Sequence, residues 1–257
     1  MNRINKLFQN KNNRILSVYF TAGYPQKNDT ITIIKELANN GADLIEIGMP
    51  FSDPLADGPT IQKSSDAALK NGMSLKLLFE QLSEIRSLVD IPLIMMGYLN
   101  PVLQYGMTKF CEKCRDTGID GIILPDLPLD VFEEEYQAVF EKNGLHNIFL
   151  ITPQTDEKRI RMIDEISHGF IYMVSSSSTT GTREGFGEDQ LEYFRRIGGM
   201  QLKNPRLVGF GISNAVTFNQ ACEYANGAII GSAFIKALGN GDELHSAISD
   251  FTGKILQ

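Results

Sequence analysis

The chain has 257 residues, of which 42% are hydrophobic and 21% are charged, a composition ordinary for a soluble globular protein. Its net charge of −7, with scattered lysines and arginines, argues against nucleic acid or an anionic membrane as a partner, because both demand clustered cations. A polar first segment, the lack of an apolar run of membrane-spanning length and three cysteines together predict reduced thiols and a cytoplasmic location.

Short apolar segments alternate with longer amphipathic ones along the whole chain. Eight of them are predicted strands: Leu16–Thr21, Leu44–Gly48, Leu93–Met96, Gly121–Leu124, Ile148–Ile151, Phe170–Val174, Leu207–Phe210 and Ala228–Ile230. Helical patterns lie between them: Thr30–Asn39, Leu75–Leu88, Thr108–Thr117, Val131–Asn143, Glu157–Ser167, Gln190–Ile197 and Ala215–Ala225. Eight alternations predict an α/β fold, a single (β/α)8 TIM barrel domain over residues 1–257. A doubly wound open sheet is the alternative, disfavoured by the lack of a glycine-rich fingerprint after the first strand.

Three connections share a sequence pattern. The pairs Asn40-Gly41, Thr117-Gly118 and Asn226-Gly227 each lie between a helical segment and an apolar strand. Glycine or asparagine at such a place predicts a left-handed helix cap that feeds the next strand.

Residues 46–59 are the most informative segment, Glu-Ile-Gly-Met-Pro-Phe-Ser-Asp-Pro-Leu-Ala-Asp-Gly-Pro. Glu46 lies near the end of an apolar strand, where burial would raise the pKa of its carboxyl toward neutrality, as proton transfer requires, although it could also be a satisfied core acid. The prolines that follow predict a stiff loop carrying Asp53 and Asp57, which could be catalytic or could bond neighbouring backbone amides. In a barrel, Glu46, Asp57 and Asp126 would face one opening at the C-terminal strand ends.

Two glycine-bearing strand ends predict a phosphate site. Residues 209–213, Gly-Phe-Gly-Ile-Ser, end the seventh strand, and residues 230–233, Ile-Gly-Ser-Ala, end the eighth and open a short helix. Glycines let backbone amides approach an anion, and barrels often bind phosphate at these two loops, although each glycine could simply make a tight turn. The long loop 175–187 has the composition of a mobile lid, or equally of a disordered surface loop.

The segment 46–59, Phe-Thr-Ala-Gly-Tyr-Pro at 20–25 and Gly-Phe-Gly-Ile-Ser at 209–213 together resemble the tryptophan synthase alpha subunit family, and the likeness runs over essentially the whole chain. The resemblance implies retro-aldol cleavage of indole-3-glycerol phosphate to indole and glyceraldehyde 3-phosphate, with no metal or cofactor in this chain. By the same resemblance, Glu46 would be the general acid/base and Asp57 the acceptor of the indole N–H.

The resemblance also implies the substrate contacts. The indole pocket would be walled by Tyr19, Ile61, Met96, Ile123 and Tyr172. The phosphate would be held by Gly181, Gly211, Gly231 and Ser232, with Thr180 beside them as a further substrate-binding residue. The apolar positions could equally be core packing.

The family's partner is a beta subunit that holds pyridoxal phosphate, and the resemblance implies an alpha2beta2 heterotetramer in which indole passes between the two sites. Asp53, Pro54 and residues 98–101 lie where the family's subunit contact forms. A loop that contacts the partner and also carries Asp57 would offer a route for activation. An exposed proline-rich loop is the simpler alternative.

One position departs from the family pattern: many members have an arginine where this chain has Ser176, which puts in doubt any lid contact that depends on that cation. Cys111 and Cys114 have redox-motif spacing but fall within a helical pattern, and the three histidines have no metal-ligand spacing, so none of them is predicted to be functional.

Two other functions stay open. A stand-alone lyase or a sugar-phosphate isomerase could use the same barrel, since the scaffold hosts many reactions. A catalytically idle barrel that binds a phosphorylated metabolite and regulates a partner is the non-enzymatic alternative. The presence of both Glu46 and Asp57 argues against it, because a binding module has no use for a proton-transfer pair.

Overall fold

The fold is a ring of parallel strands surrounded by helices, and a computed structural model describes residues 1–175 and 185–257. The strands are β1 Ile15–Thr21, β2 Leu44–Gly48, β3 Leu93–Met96, β4 Gly121–Ile123, β5 His146–Asn147, β6 Leu150–Ile151, β7 Ile171–Val174, β8 Arg206–Gly209 and β9 Gly227–Ile230. They pair in parallel in the order β5-β4-β3-β2-β1-β9-β8-β7-β6. Because β5 and β6 are consecutive in the chain, the sheet returns on itself, and the predicted TIM barrel is confirmed.

The prediction of one fifth strand over 148–151 is wrong, because the structure has two short strands here with other bounds. β5 pairs only with β4, whereas β6 pairs only with β7. Between the two pieces, the Ile148 N–H donates to Ile122 O and Phe149 O accepts from the Tyr172 N–H, each at 2.9 Å. The chain therefore passes here from hydrogen bonding with β4 to hydrogen bonding with β7, which is where the barrel closes.

The helices are α1 Arg3–Asn10, α2 Thr30–Asn39, α3 Pro59–Lys70, α4 Leu75–Gln81, α5 Leu99–Tyr105, α6 Met107–Asp116, α7 Leu129–Val131, α8 Gln137–Lys142, α9 Glu157–Ile166, α10 Glu188–Gly199, α11 Ala215–Tyr224, α12 Ser232–Leu238 and α13 Leu244–Ile255. A 3-10 turn, Leu82–Ser87, extends α4, and a π turn, Phe132–Tyr136, joins α7 to α8. The sequence patterns had not indicated α1, α3, α5 or α13. Among the described residues, no helix combines the length and apolarity needed to cross a membrane.

Side chains of the strands alternate between the barrel interior and the helical layer. Along β1, Ile15 packs in an inner cluster, whereas Leu16, Val18 and Phe20 belong to the outer cluster under the helices. Burial on both faces explains why all seven residues of β1 are buried. Ile4 of α1 joins the inner cluster with no exposed surface, so α1 closes the N-terminal end of the barrel. The site must therefore lie at the other end.

Two of the three predicted left-handed caps are confirmed and the third is wrong. Gly41 and Gly118 have φ of 93° and 74°. After α11, however, Ala225 is extended, with φ −138° and ψ 173°, and neither following residue has positive φ. Gly227 is needed for a different reason: a Cβ there would lie 2.1 Å from Ile15 O on the neighbouring strand.

Candidate active site

A cavity of about 760 Å³ opens at the C-terminal ends of the strands, within the usual range for a small-molecule site. The sequence-predicted residues that line it are Tyr19, Glu46, Asp57, Ile61, Met96, Tyr172, Gly211, Gly231 and Ser232. The lining combines carboxyl groups and aromatic rings with the glycine turns that follow β8 and β9. This is the opening at which barrel active sites are built.

Glu46 is fully buried, and its two carboxyl oxygens have different surroundings. Oε1 accepts a hydrogen bond from the Ser17 hydroxyl at 2.9 Å, whereas Oε2 has no hydrogen-bond partner among the described residues. Burial raises the pKa of Glu46 to about 8, and the Ser17 hydroxyl partly opposes that rise. At neutral pH this carboxyl is therefore mostly protonated and can act as an acid.

Asp57 lies on the loop after β2 and is held by a tyrosine. The Tyr98 hydroxyl donates to Asp57 Oδ2 at 3.0 Å and accepts from the Ala56 N–H at 3.0 Å. Burial raises the pKa of Asp57 to about 6, and the hydrogen bond from Tyr98 limits the rise. Asp57 is therefore mostly ionised at neutral pH, while Glu46 is mostly neutral. Two carboxyl groups whose pKa values are pushed apart can take different roles in one site.

The acid loop is braced from α3. Pro59 is the first residue of this helix, and the Gln62 side-chain amide donates back to Asp57 O at 2.9 Å. Ser64, two residues further on, forms a 2.7 Å hydroxyl pair with Thr21 at the end of β1. These contacts dock α3 on the barrel and bring Ile61 to the cavity wall.

Two tyrosine side chains pack directly against a glycine of the neighbouring strand. A Cβ on Gly48 would lie 2.2 Å from the Tyr19 hydroxyl oxygen, and a Cβ on Gly209 would lie 2.2 Å from that of Tyr172. Burial, the largest cause in each case, together with nearby carboxylates raises the pKa of both hydroxyls, so both stay neutral in the working range. Glycine at these two positions makes room for the rings that wall the cavity.

The turn after β8 has unusual backbone geometry. Phe210 and Gly211 both have positive φ, 67° and 76°, and positive φ is rare for a bulky residue such as phenylalanine. The Ser175 hydroxyl donates to Phe210 O at 2.6 Å and helps to fix the turn. Strained backbone of this kind concentrates at ligand sites.

The turn after β9 brings a cation to the same region. Gly231 precedes α12, which begins at Ser232, and both residues line the cavity together with Lys236 one turn later. Lys236 is the one lysine or arginine among the described lining residues. In a cavity that also holds Glu46 and Asp57, it supplies positive charge for an anionic group.

Several predicted residues do not reach the cavity. Ile123 is fully buried in the inner cluster and is not among the residues that line the cavity, so its contact with substrate stays a prediction from the resemblance. Asp126 does not join the other two acids, because its carboxylate accepts the Leu99 N–H at 2.9 and 3.1 Å at the start of α5. The predictions for Thr180, Gly181 and Ser176 concern positions outside the described residues, as does most of the predicted lid.

The comparisons with known proteins agree with this geometry. The sequence model of the tryptophan synthase alpha chain family matches residues 5–254. The tryptophan synthase alpha chain of Flavobacterium johnsoniae is 62% identical over 255 residues, which cover 99% of this chain and all of that protein. The alpha chain of Christiangramia forsetii is 65% identical over 236 residues, 92% of each chain. This chain belongs to the tryptophan synthase alpha chain family.

Solved structures of the family have the same fold. The tryptophan synthase alpha subunit of Legionella pneumophila superposes with a TM-score of 0.89 at 32% identity, over 99% of this chain and 97% of that one. Tryptophan synthase from Mycobacterium tuberculosis, in an aminoacrylate-bound form, gives 0.86 at 30% identity, over 99% and 98%. The predicted family is therefore confirmed.

Three residues that sequence reasoning missed act on the site of this family member. Ser17, Tyr98 and Lys236 contact or flank the predicted groups, yet no motif marked any of them as a site residue, and Tyr98 was noted only within the segment of the family's subunit contact. Only Lys236 had a local signal, because it follows Ser232 at helical spacing and so shares its face.

The cysteine pair lies away from the site. Cys111 and Cys114 are fully buried in α6, and burial raises the pKa of Cys111 to about 12. A thiol that stays protonated is a poor nucleophile, so the prediction that the pair has no redox role agrees with its surroundings. Among residues 1–175 and 185–257, no three potential ligands come together to hold a metal ion.

Proposed function

We propose that this chain cleaves indole-3-glycerol phosphate to indole and glyceraldehyde 3-phosphate as the alpha subunit of tryptophan synthase, with Glu46 as general acid/base and Asp57 as acceptor of the indole N–H. The observation that carries the assignment of roles is the pair of carboxyls in one cavity, one largely neutral and one largely ionised at neutral pH. The alpha chains of this family carry no cofactor, and pyridoxal phosphate belongs to the beta subunit.

Glu46 supplies and recovers the proton. In its neutral form it protonates C3 of the indole ring, which converts the ring carbon into a leaving group. The resulting carboxylate then takes the proton of the side-chain hydroxyl as the carbon–carbon bond breaks and the aldehyde forms. One carboxyl therefore acts as acid and then as base, and the protons balance without any other group.

Asp57 stabilises charge on the ring. Protonation at C3 places positive charge on the indole nitrogen, and an ionised carboxylate that accepts the N–H stabilises that charge. Tyr98 keeps Asp57 ionised and oriented for this role. The apolar walls made by Tyr19, Ile61 and Met96, with Tyr172 beside them, exclude water and strengthen the interaction.

The phosphate is assigned to the glycine turns. Gly211 and Gly231 let backbone amides approach the anion, and Ser232 supplies a hydroxyl. Lys236, which also lines the cavity, adds a positive charge to this phosphate site. By resemblance, Gly181 and Thr180 would complete the contacts from the loop after β7.

The chain pairs with a beta subunit, as its family does. An alpha2beta2 assembly with docking at Asp53, Pro54 and residues 98–101 is the finer proposal. Leu55 in this region is 92% exposed, so its side chain is free to contact a partner. The three cysteines are free and buried, which supports a cytoplasmic location.

The test is release of glyceraldehyde 3-phosphate from indole-3-glycerol phosphate by the purified chain, alone and with a beta subunit. We expect cleavage that rises with the partner and falls by roughly 10²–10⁴ in Glu46→Gln, the range for loss of a general acid. Glu192→Gln, on the exposed face of α10, is the matched control and should retain wild-type cleavage. Full-speed cleavage by the isolated chain would favour a stand-alone lyase, and tight substrate binding without cleavage would favour a regulatory barrel.

A further inference from the structure

The carboxyl of Glu46 is asymmetric in a way that the reaction alone does not require. One oxygen, Oε1, accepts from Ser17, while the other, Oε2, is buried and has no hydrogen-bond partner among the residues described. A buried polar atom left unpaired is destabilising and calls for a functional reason.

The direction of the Ser17 bond determines where the acid proton lies. The Ser17 hydroxyl is fully buried and makes no other side-chain hydrogen bond in the described part of the chain, so its proton goes to Oε1. An oxygen that accepts this bond acts as the carbonyl oxygen of the neutral acid. The acid proton is then carried by Oε2.

The strand register places Ser17 on the side of Glu46 away from the substrate. Glu46 pairs with Tyr19 across β1 and β2, and Ser17 pairs with Leu44 two residues earlier. Side chains two apart on a strand share a face, so Ser17 lies one level nearer the closed end of the barrel than Tyr19. Glu46 lines the cavity, whereas Ser17 does not.

We propose that Ser17 is a positioning residue that fixes Oε1 of Glu46 as an acceptor, so that Oε2 is the atom that gives the proton to the substrate and takes one back. The inference rests on the proposed function, because it names the oxygen through which Glu46 works. No bond other than those of the proposed reaction is made or broken.

The surroundings of Glu46 leave this role to Ser17. The titratable groups that line the cavity with it are Tyr19 of β1 and Tyr172 of β7, both neutral, Asp57 on the loop after β2 and Asp189 of α10. Lys236 of α12 lines the same cavity and has no described ion pair with Glu46. The hydrogen bond from Ser17 favours the charged form of Glu46, so removing it raises the pKa of the carboxyl further.

The experiment compares Ser17→Ala and Ser17→Thr with wild type in the complex with the beta subunit. We expect Ser17→Ala to lower kcat by about tenfold with little change in KM, and to move the alkaline limb of the kcat profile to higher pH. Ser17→Thr keeps the hydroxyl and should restore the limb. A uniform loss of rate with an unmoved limb would mean that Ser17 is only structural and would overturn the proposal, as would wild-type behaviour of Ser17→Ala.

A second measurement needs no turnover. The infrared carbonyl stretch of the protonated Glu46 carboxyl, assigned by its loss in Glu46→Gln, should move to higher frequency in Ser17→Ala, because the carbonyl loses its hydrogen bond. An unmoved band in a folded variant would overturn the proposal. If Glu46→Gln itself cleaves at the wild-type rate, the proposed role of Glu46 fails. If that variant is inactive while the Ser17 variants match wild type, only the present inference fails.

Discussion

Replacing Glu46 with glutamine should stabilise the protein at alkaline pH while it removes the activity. Burial raises the pKa of this carboxyl to about 8 in the folded state, whereas the ordinary pKa of a glutamate is 4.5. As pH rises between these values, the unfolded chain releases the proton and the folded chain keeps it, so the free energy of unfolding falls. This loss begins near the unfolded pKa and is complete above the folded one.

The two pKa values set the size of the effect. Linkage gives a loss of about 4 kcal/mol between about pH 5 and about pH 9 for wild type, which the neutral amide of Glu46→Gln does not share. The difference in free energy of unfolding between the variant and wild type should therefore grow by about that amount in favour of the variant. Taking the difference removes the contributions of all other titrating groups.

The assay is urea unfolding at a series of pH values, followed by two probes to check for intermediates in a chain of this size. Glu192→Gln again serves as the surface control. A difference between Glu46→Gln and wild type that does not vary with pH would refute the reasoning, because it would mean that the carboxyl is not desolvated in the folded state.

Three further predictions follow from the contacts of the barrel. Tyr98→Phe removes the hydroxyl that donates to Asp57, so the acid limb of the pH profile of kcat/KM, expected near about pH 6, should move to higher pH. An unmoved limb would contradict the influence of Tyr98 on the pKa of Asp57. Gly48→Ala would place a Cβ 2.2 Å from a tyrosine hydroxyl and should lower kcat/KM at least about tenfold, whereas Gly198→Ala, with open space around it, should leave kcat/KM intact. Asp120→Asn breaks the buried ion pair of this carboxylate with an arginine at the closed end of the barrel, and should lower the free energy of unfolding in urea by about 3–5 kcal/mol. Because this end is remote from the site, a changed kcat in the folded variant would contradict the prediction.

Local sequence signals were sufficient for the repeat, and they marked the two carboxyls as candidates. Strand periodicity depends on neighbours within a few residues, and seven of the eight predicted strands agree with the structure to within about a residue at each end. Glu46 was detectable because a carboxyl near the end of an apolar strand conflicts with burial. The proline-rich loop marked Asp57 in the same way, since it permits neither helix nor strand.

The sequence by itself determined the family and the barrel class, and it singled out Glu46 and Asp57 as the candidate acid pair. Only the tertiary structure decided how the carboxyls are held, because Ser17 lies 29 residues from Glu46 and Tyr98 lies 41 from Asp57, and closure of the barrel brings these pairs together. The same closure splits the fifth strand and places the carboxylate of Asp126 against the first backbone N–H of α5. Periodicity and motifs report local neighbours, whereas the choice between a lining residue and a buried one, as at Ile123, depends on which strands meet.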